Sequence, residues 1–348
     1  MRFSSQSWEP DAAVVNAVAE VSPEWRHGAI RLRSVARIGA DYGLSGGEVY
    51  RVEADSERGN PLSFVVKREG AQAVERALRF HRAVGLQVGG SVPACLGGLV
   101  NSESDTGVLL LEDVAPAVQG DVLARCTHLQ ALAAVRSLAR VHAASWDTIG
   151  DSAGGVPHWK ARAMASDQWA ERLSAAADRF PEILTAPSVD VLRELPRRVE
   201  QAIESLQVGP TSWIHGDMHL DNVLFRPDGT AVLLDWSGAV IGPPAVDLVR
   251  LLTERVNGDD RDALVSEQIS TYAVELAIGE ATVMIEDLWD ALSNGLALLV
   301  QGAVAWAARD ENREPRKRLG ALQENLLRSV CAWVSNEQMT QAGRIFAP

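Results

Sequence analysis

Cysteine is scarce in this chain of 348 residues, which contains three. Cys95, Cys126 and Cys331 are odd in number, lie far apart in sequence and form no CxxC pair. The spacing therefore predicts neither a disulfide framework nor a zinc site, and a reducing environment is expected.

The chain also has few basic residues for its acidic content, with 33 Lys and Arg against 46 Asp and Glu. The formal net charge of -13 would repel nucleic acids and anionic membranes, so neither is expected as a partner. Small cationic molecules would be attracted instead.

Long apolar runs and targeting signals are missing as well. The opening stretch MRFSSQSWEPDAAVV has no apolar run behind a positive cap, unlike a signal peptide. The most apolar stretch, residues 296–308, contains Gln301 and is shorter than the about 18 residues that a membrane span needs. Together with an ordinary globular composition, 47% hydrophobic and 23% charged, this predicts a cytoplasmic protein.

Five segments in the first third of the chain have the β-branched and apolar content of strands. They are RLRSVARIGA, GGEVYRVEA, LSFVVKRE, VPACLGGLV and VLLLEDV, with one helical pattern, AQAVERALRFHRAVG, after the third. Segments rich in Ala, Leu, Glu and Arg at helical period dominate the remainder. The sequence predicts an α+β fold with two lobes: a five-stranded antiparallel sheet plus helix over residues 1–112, and a mainly helical lobe over 113–348.

A cluster of polar residues, HGDMHLDN, lies between the apolar stretches TSWI and VLF. Asp217 and Asn222 fall at the two ends of the predicted loop, and Asp235 ends the next strand, AVLLDW. We expect the three side chains to converge. Carboxylate and amide oxygens suit Mg²⁺, and a carboxylate beside a substrate hydroxyl can accept its proton, which is the arrangement that phosphoryl transfer uses.

HGDMHLDN followed by LLDW resembles the catalytic loop and metal-binding strand of the aminoglycoside phosphotransferase and choline kinase superfamily. The resemblance implies a protein-kinase-like fold, Asp217 as catalytic base, and Asn222 and Asp235 as ligands of Mg²⁺. It also implies ATP or GTP as the phosphate donor. Trp236, where protein kinases have Phe, is common in the small-molecule kinases and disfavours a protein substrate.

Lys67, in the strand VVKRE, provides a point charge for the nucleotide phosphates under this resemblance. Glu75, in the following helix, is the expected partner that holds the lysine in place. Glu69 is nearer in sequence and stays open as the alternative partner.

Two further stretches resemble the nucleotide-binding parts of the family. GLSGGEVYRV resembles the loop whose backbone amides approach the phosphates, which implies contacts from Ser45 and Gly46. LLLEDV resembles the connection between the lobes, where the backbone from Glu112 to Val114 would hydrogen-bond a purine edge.

Three other polar residues are expected to support the fold rather than the chemistry. Asp247, at the start of a predicted helix, is expected to brace the HGDMHLDN loop through its backbone, and His215 to order that loop. His142 lies among apolar residues of a helix and is interpreted as part of the core.

The function implied is an O-phosphotransferase that uses ATP or GTP with Mg²⁺ to phosphorylate a hydroxyl of a small molecule, with an antibiotic as the favoured acceptor. A metabolic kinase for a sugar, amino alcohol or nucleoside is the alternative within enzymes. A nucleotide-binding scaffold without turnover is the alternative from another class, and the complete set of Asp217, Asn222 and Asp235 speaks against it.

Overall fold

The computed structural model describes residues 9–22, 25, 28–38, 47–124, 126–147, 157–253, 261–281, 283–309 and 317–334. The chain forms two compact units, the first made of Met1–Ala117 with Val232–Ala239 and the second of Val118–Ala231 with Val240–Pro348. The chain first passes from one unit to the other after Ala117, close to the boundary between residues 112 and 113 that the sequence predicts. The return of residues 232–239 to the first unit has no counterpart in the sequence analysis.

An antiparallel sheet of five strands forms the centre of the first unit, in the order β1-β2-β3-β5-β4. This confirms the predicted sheet and the α+β class. The strands are β1 (Ile30–Ile38), β2 (Glu48–Ser56), β3 (Pro61–Glu69), β4 (Cys95–Asn101) and β5 (Thr106–Glu112).

Each face of this sheet is covered by one helix, α1 (Ala12–Val21) or α2 (Ala71–Phe80). Neighbouring strand residues point to opposite faces, so Leu110 packs in the cluster that contains the α1 valines, and Leu109 packs against α2. Lys67 is paired directly with Leu109 in the sheet and therefore points to the α2 face. This register decides which polar side chains can reach the lysine.

The second unit is mainly helical in its described part. Thr127 and Gln130 form a capping box that begins its first helix, each side chain bonding to the other's backbone N–H. The helices are α3 (His128–Ala143), α4 (Ser166–Arg179), α5 (Ala186–Leu192), α6 (Leu195–Gln207), α7 (Ala245–Leu252), α8 (Arg261–Ile278), α9 (Ile285–Ala307) and α10 (Lys317–Val334).

Helix α9 is the one helix among the described residues that is long and apolar enough to cross a membrane, by length and composition alone. It has 23 residues and extends beyond the apolar stretch 296–308, so the prediction of a stretch too short for a membrane span is wrong. Half of its most apolar window is buried in the fold, where α9 packs against α6, α7 and α10. Such burial is typical of a core helix.

Short strands frame the polar loop in the second unit. Strand β7 (Ser212–Ile214) pairs antiparallel with β10 (Val240–Gly242), and β6 (Val118–Gln119) pairs with β8 (Val223–Phe225). Between β8 and β10 comes β9 (Ala231–Leu233), in which the chain passes into the first unit. The residues His215 to Asn222 thus connect two strands that are each fixed by a partner.

Candidate active site

Asp247 holds the start of the polar loop by its backbone. One carboxylate oxygen accepts the N–H of His215 at 2.5 Å and the other accepts the N–H of Gly216 at 2.9 Å. Asp247 is 1% exposed and lies in the first turn of α7, where a carboxylate also favours the helix dipole. The predicted brace is confirmed.

A buried chain of side chains continues behind Asp247. His142 Nε2 lies 3.4 Å from Asp247 Oδ2, and His142 Nδ1 lies 2.7 Å from the hydroxyl of Tyr272. His142 and Tyr272 are both fully buried. His142 is a core residue, as expected, but it also belongs to the brace, and a lone histidine on an apolar helix gives no sequence signal of that.

The Asp217 carboxylate faces outward from the loop, with 77% of its side chain exposed. His219 Nε2 lies 3.6 Å from Asp217 Oδ2. Loss of hydration would raise the pKa of this carboxyl, but the nearby His219, together with His215 and Arg250, outweighs that effect and lowers the pKa to about 2. Asp217 is therefore ionised at neutral pH and accessible to a hydroxyl that approaches it.

Asn222 lies at the other end of the loop, in a single 3-10 turn formed by Leu220–Asn222. Its Nδ2 donates to the backbone carbonyl of Asp217 at 3.0 Å. Because the amide nitrogen is held against the loop, the amide oxygen faces away from that bond and is available as a ligand.

Lys67 is the centre of a buried charge cluster in the first unit. Its Nζ lies 2.9 Å from Glu69 Oε1, 2.6 Å from Asp235 Oδ1 and 3.0 Å from the hydroxyl of Ser237. The side chains of Lys67 and Glu69 are 9% and 6% exposed, while that of Asp235 is 30% exposed. Ser237 also donates to Glu69, so the serine bridges the two sides of the cluster.

The predicted pairing of Lys67 with Glu75 is wrong, and the alternative, Glu69, is the partner. Helix α2 turns Val74 and Leu78 toward the sheet, which leaves Glu75 on the solvent side, paired with Arg79 at 2.7 Å. Glu69 follows Lys67 by two positions in β3 and so shares its face.

We expect Glu69→Gln to lower the free energy of unfolding by about 2 kcal/mol, because it removes one partner from a buried ion pair. Glu75→Gln is the matched control, since it breaks an exposed i,i+4 pair that contributes about 0.5 kcal/mol or less. Urea unfolding of both variants measures the difference. Equal losses would show that Glu69 does not hold Lys67.

The segment around Asp235 is fixed in the first unit by an aromatic stack. Trp236 stacks on Phe80 of α2 with ring centroids 3.7 Å apart and planes 6° apart. Trp236 Nε1 donates to the carbonyl of Leu233 at 3.1 Å. Asp235 itself has φ 58° and ψ 63°, a left-handed conformation that costs about 1 kcal/mol for a residue with a Cβ and that occurs often at functional sites.

His81 follows the stacked Phe80 and is buried, with its ring 5.3 Å from that of Phe80. Its Nδ1 has no hydrogen-bond partner in the part of the chain that the structure describes. Burial disfavours the charged imidazolium and lowers the pKa of His81 to about 4.

This histidine should make the protein sensitive to acid. Between its ordinary pKa and about 4 the unfolded chain binds a proton that the folded chain does not, so stability falls as pH falls through that window. We expect the wild type to lose about 2 kcal/mol more stability than His81→Phe between about pH 7 and about pH 5. Urea unfolding at the two pH values tests this, and parallel losses would contradict it.

The connection from Glu112 to Val114 is held within the first unit. The Glu112 N–H donates to the Ala94 carbonyl at 2.8 Å, so that donor is already used. Arg51 forms a two-pronged bond with the Asp113 carboxylate, at 2.9 and 3.1 Å. Among the described residues, the backbone N–H and C=O of Val114 have no backbone hydrogen-bond partner. Purine binding by this backbone stays a prediction.

The predicted phosphate contacts, Ser45 and Gly46, lie outside the described residues. Gly47, the next residue in the chain, is described, and the side chain of Glu69 lies against it. A Cβ at Gly47 would lie 2.9 Å from both Glu69 Cγ and Glu69 Oε1. At least one glycine of this stretch therefore makes room for the lysine's partner.

No group of three or more His, Cys, Asp or Glu side chains able to hold a metal ion occurs in the described ranges. The predicted ligands are instead one amide, Asn222 in the second unit, and one carboxylate, Asp235 in the first. Both supply hard oxygen atoms, and Mg²⁺ commonly takes only one or two protein ligands beside water and phosphate oxygens. The donor types fit this ion, and the convergence of the three polar residues stays a prediction.

A buried lysine beside a sheet and an accessible, ionised aspartate in a braced loop are features that the resemblance to small-molecule kinases predicts. The sequence model of the Phosphotransferase enzyme family matches residues 43–282, well over half of the chain. The chain belongs to this family. It is therefore a phosphotransferase with a hydroxyl group as acceptor. No curated protein matches the chain in sequence.

Solved structures with the same fold cover nearly the whole chain. A candidate aminoglycoside phosphotransferase from Ralstonia eutropha JMP134 is 17% identical with a TM-score of 0.58, over 93% of this chain and 98% of the other. An aminoglycoside phosphotransferase from Alicyclobacillus acidocaldarius is 15% identical with a TM-score of 0.54, over 97% of both chains. A spectinomycin phosphotransferase in complex with ADP and spectinomycin is 14% identical with a TM-score of 0.54, over 90% and 95%. At these identities the likeness establishes the fold.

Proposed function

We propose that this phosphotransferase transfers the terminal phosphoryl group of ATP or GTP, with Mg²⁺, to a hydroxyl of a small molecule, with an antibiotic as the favoured acceptor. The observation that carries the proposal is the Asp217 carboxylate, which is ionised, 77% exposed and fixed on a loop whose backbone Asp247 braces. A carboxylate of this kind can accept the proton of a hydroxyl that binds beside it.

In the proposed reaction the acceptor oxygen forms a bond to the terminal phosphorus while the bond from that phosphorus to the bridging oxygen breaks. The hydroxyl proton passes to Asp217, and ADP or GDP leaves. Asp217 orients the hydroxyl as well as accepting its proton, which matters because phosphoryl transfer depends mainly on positioning and on charge stabilisation.

Other residues of the chain would hold the nucleotide. Lys67 supplies a cation to the phosphates, and Glu69 and Ser237 keep its ammonium in place. The backbone of Val114 is proposed to bind the purine edge, with Ser45 and Gly46 at the phosphates. Mg²⁺, when bound by Asn222 and Asp235, would supply positive charge that neutralises the phosphate oxygens.

Charge favours a cationic acceptor, a class that includes aminoglycosides and also amino alcohols. Many aminoglycoside-like acceptors are polycations, and the net charge of -13 attracts them. The spectinomycin complex among the structures of this fold is in keeping with such an acceptor.

Mass spectrometry of acceptors tests this proposal. The protein is incubated with MgATP or MgGTP and a panel of aminoglycosides, macrolides, nucleoside antibiotics, sugars and amino alcohols, with Asp217→Asn protein as the control. We expect an antibiotic to gain the mass of one phosphate with the wild type alone. Phosphorylation confined to sugars, nucleosides or amino alcohols would establish the metabolic role instead, and nucleotide binding without any product would favour a scaffold.

A further inference from the structure

Asp221 is an acidic residue of the polar loop to which the proposed chemistry gives no role. It lies between Asp217 and Asn222 and is 5% exposed. Both carboxylate oxygens are held from outside the loop. Oδ1 accepts the backbone N–H of Val122 at 2.7 Å, and Oδ2 accepts from Arg318 Nη2 at 2.9 Å.

Arg318 comes from α10, at the far end of the described chain. Its Nη2 also donates to Asp121 Oδ1 at 2.9 Å, so one nitrogen bridges two carboxylates. Burial alone would lower the pKa of the Arg318 guanidinium, but its bonds to Asp221 and Asp121 raise it. Seven positions later on the same helix face, Asn325 Nδ2 donates to the Val122 carbonyl at 3.1 Å.

The segment that α10 holds lies directly against the loop. Gln119 Nε2 donates to the Asp221 carbonyl at 2.7 Å, and the Gly120 N–H donates to the Val223 carbonyl at 2.8 Å. A Cβ at Gly120 would lie 2.4 Å from the Leu220 carbonyl oxygen, so the two backbones touch with no space between them. Helix α10, residues 119–122 and the turn Leu220–Asn222 are thus one hydrogen-bonded assembly within the second unit.

Helix α10 lies beyond residues 43–282, the part that the family model matches. We propose that Arg318 is a positioning residue that acts through Asp221 to fix the turn carrying Asn222. Because Asn222 donates to the backbone carbonyl of Asp217, the same contact also positions Asp217. A buried carboxylate that loses its cation favours conformations in which water reaches it, and an open form of this turn is such a conformation. The expected effect of Arg318 on catalysis rests on the proposed function, whereas its expected effect on the order of the turn does not.

Hydrogen exchange tests whether Arg318 fixes this turn, and it needs no acceptor. We compare Arg318→Met with Arg328→Met, because Arg328 lies on the same helix but its side chain is 47% exposed and pairs with Glu324 on the helix surface. Peptides covering residues 215–223 should exchange at least about tenfold faster in Arg318→Met, with the β3 peptide unchanged. Arg328→Met should match the wild type throughout.

Kinetics adds a readout that a purely structural role would not change. With MgATP and water as acceptor, Arg318→Met should lower kcat about tenfold and leave KM for ATP within about twofold, because Lys67 and the purine-binding backbone are untouched. Arg318→Lys, which keeps the charge, should recover part of the loss. An equal rise in KM would indicate general loosening of the fold and would contradict the proposal.

The remaining outcomes are each decisive. Wild-type exchange of residues 215–223 in a folded Arg318→Met protein overturns the inference, whatever the activity. If this variant does not fold, Arg318→Gln replaces it with the same expectation, and failure of both to fold would mean that Arg318 supports the whole unit and not the loop. A wild type that neither hydrolyses nor transfers phosphate defeats the proposed function while the exchange result still stands.

Discussion

Asp217→Asn is expected to lower kcat about 10³-fold and to leave KM for the nucleotide nearly unchanged. The amide keeps the shape of the side chain but cannot take the hydroxyl proton. Since the side chain is 77% exposed and Asp247 braces the loop through other residues, the fold should be unaffected. Phosphate transfer to the acceptor found in the panel, together with thermal unfolding, measures both effects.

Asp190→Asn is the matched control for this substitution. Asp190 is also an exposed aspartate of the second unit, with 66% of its side chain accessible and a surface pairing with Arg193. We expect its kinetics to equal those of the wild type. A rate for Asp217→Asn within a few fold of this control would remove Asp217 as the base and with it the proposed mechanism.

Lys67→Met should combine a large kinetic loss with a loss of stability. Without the ammonium, Glu69 and Asp235 are left as neighbouring carboxylates in a mostly buried place, which costs about 3 kcal/mol or more. The nucleotide phosphates lose their cation at the same time, so we expect kcat/KM for the nucleotide to fall by about 10²-fold to 10³-fold.

The two effects of Lys67→Met are separable. Combining it with Glu69→Gln removes one of the stranded carboxylates and should restore part of the stability without restoring the affinity for nucleotide, as titration calorimetry would measure. Lys160→Met, at an exposed lysine, is the control and should change neither quantity. Recovery of nucleotide affinity in the double variant would show that Lys67 acts on stability alone.

The general fold could be predicted because its signals are local. Strand and helix periodicities along the first third give the sheet and its helix, and the Ala- and Leu-rich remainder gives the helical unit. The return of residues 232–239 to the first unit could not be predicted in this way. It depends on the stack of Trp236 on Phe80, a contact between aromatic residues far apart in sequence.

In the candidate site, too, some residues could be predicted from local sequence and others depend on contacts between distant segments. Asp217, Asn222 and Lys67 were identified because each lies in a recognisable motif. The resemblance predicts Glu75 from its place in the helix, whereas strand alternation, which places Lys67 and Glu69 on one face, is the stronger constraint. Ser237 and Tyr272 gave no signal, since a single polar residue reveals its partner only once distant segments are packed.

Arg318 shows most clearly what the local sequence cannot predict. Nothing near it in sequence distinguishes it from Arg328, ten positions on in the same helix. Only the packing of α10 makes one of them a partner of the buried Asp221 and leaves the other at the surface.

The first unit consists of two separate chain segments, and this affects its folding during translation. The ribosome completes β1 to β5 long before it reaches residues 232–239, so a nascent first unit has Lys67 without Asp235 and Phe80 without Trp236. The whole first segment of the second unit, Val118–Ala231, must emerge in between. We therefore expect the first unit to complete its folding only after residue 239 has emerged, and a fragment released at residue 117 to expose apolar surface that chaperones and proteases recognise.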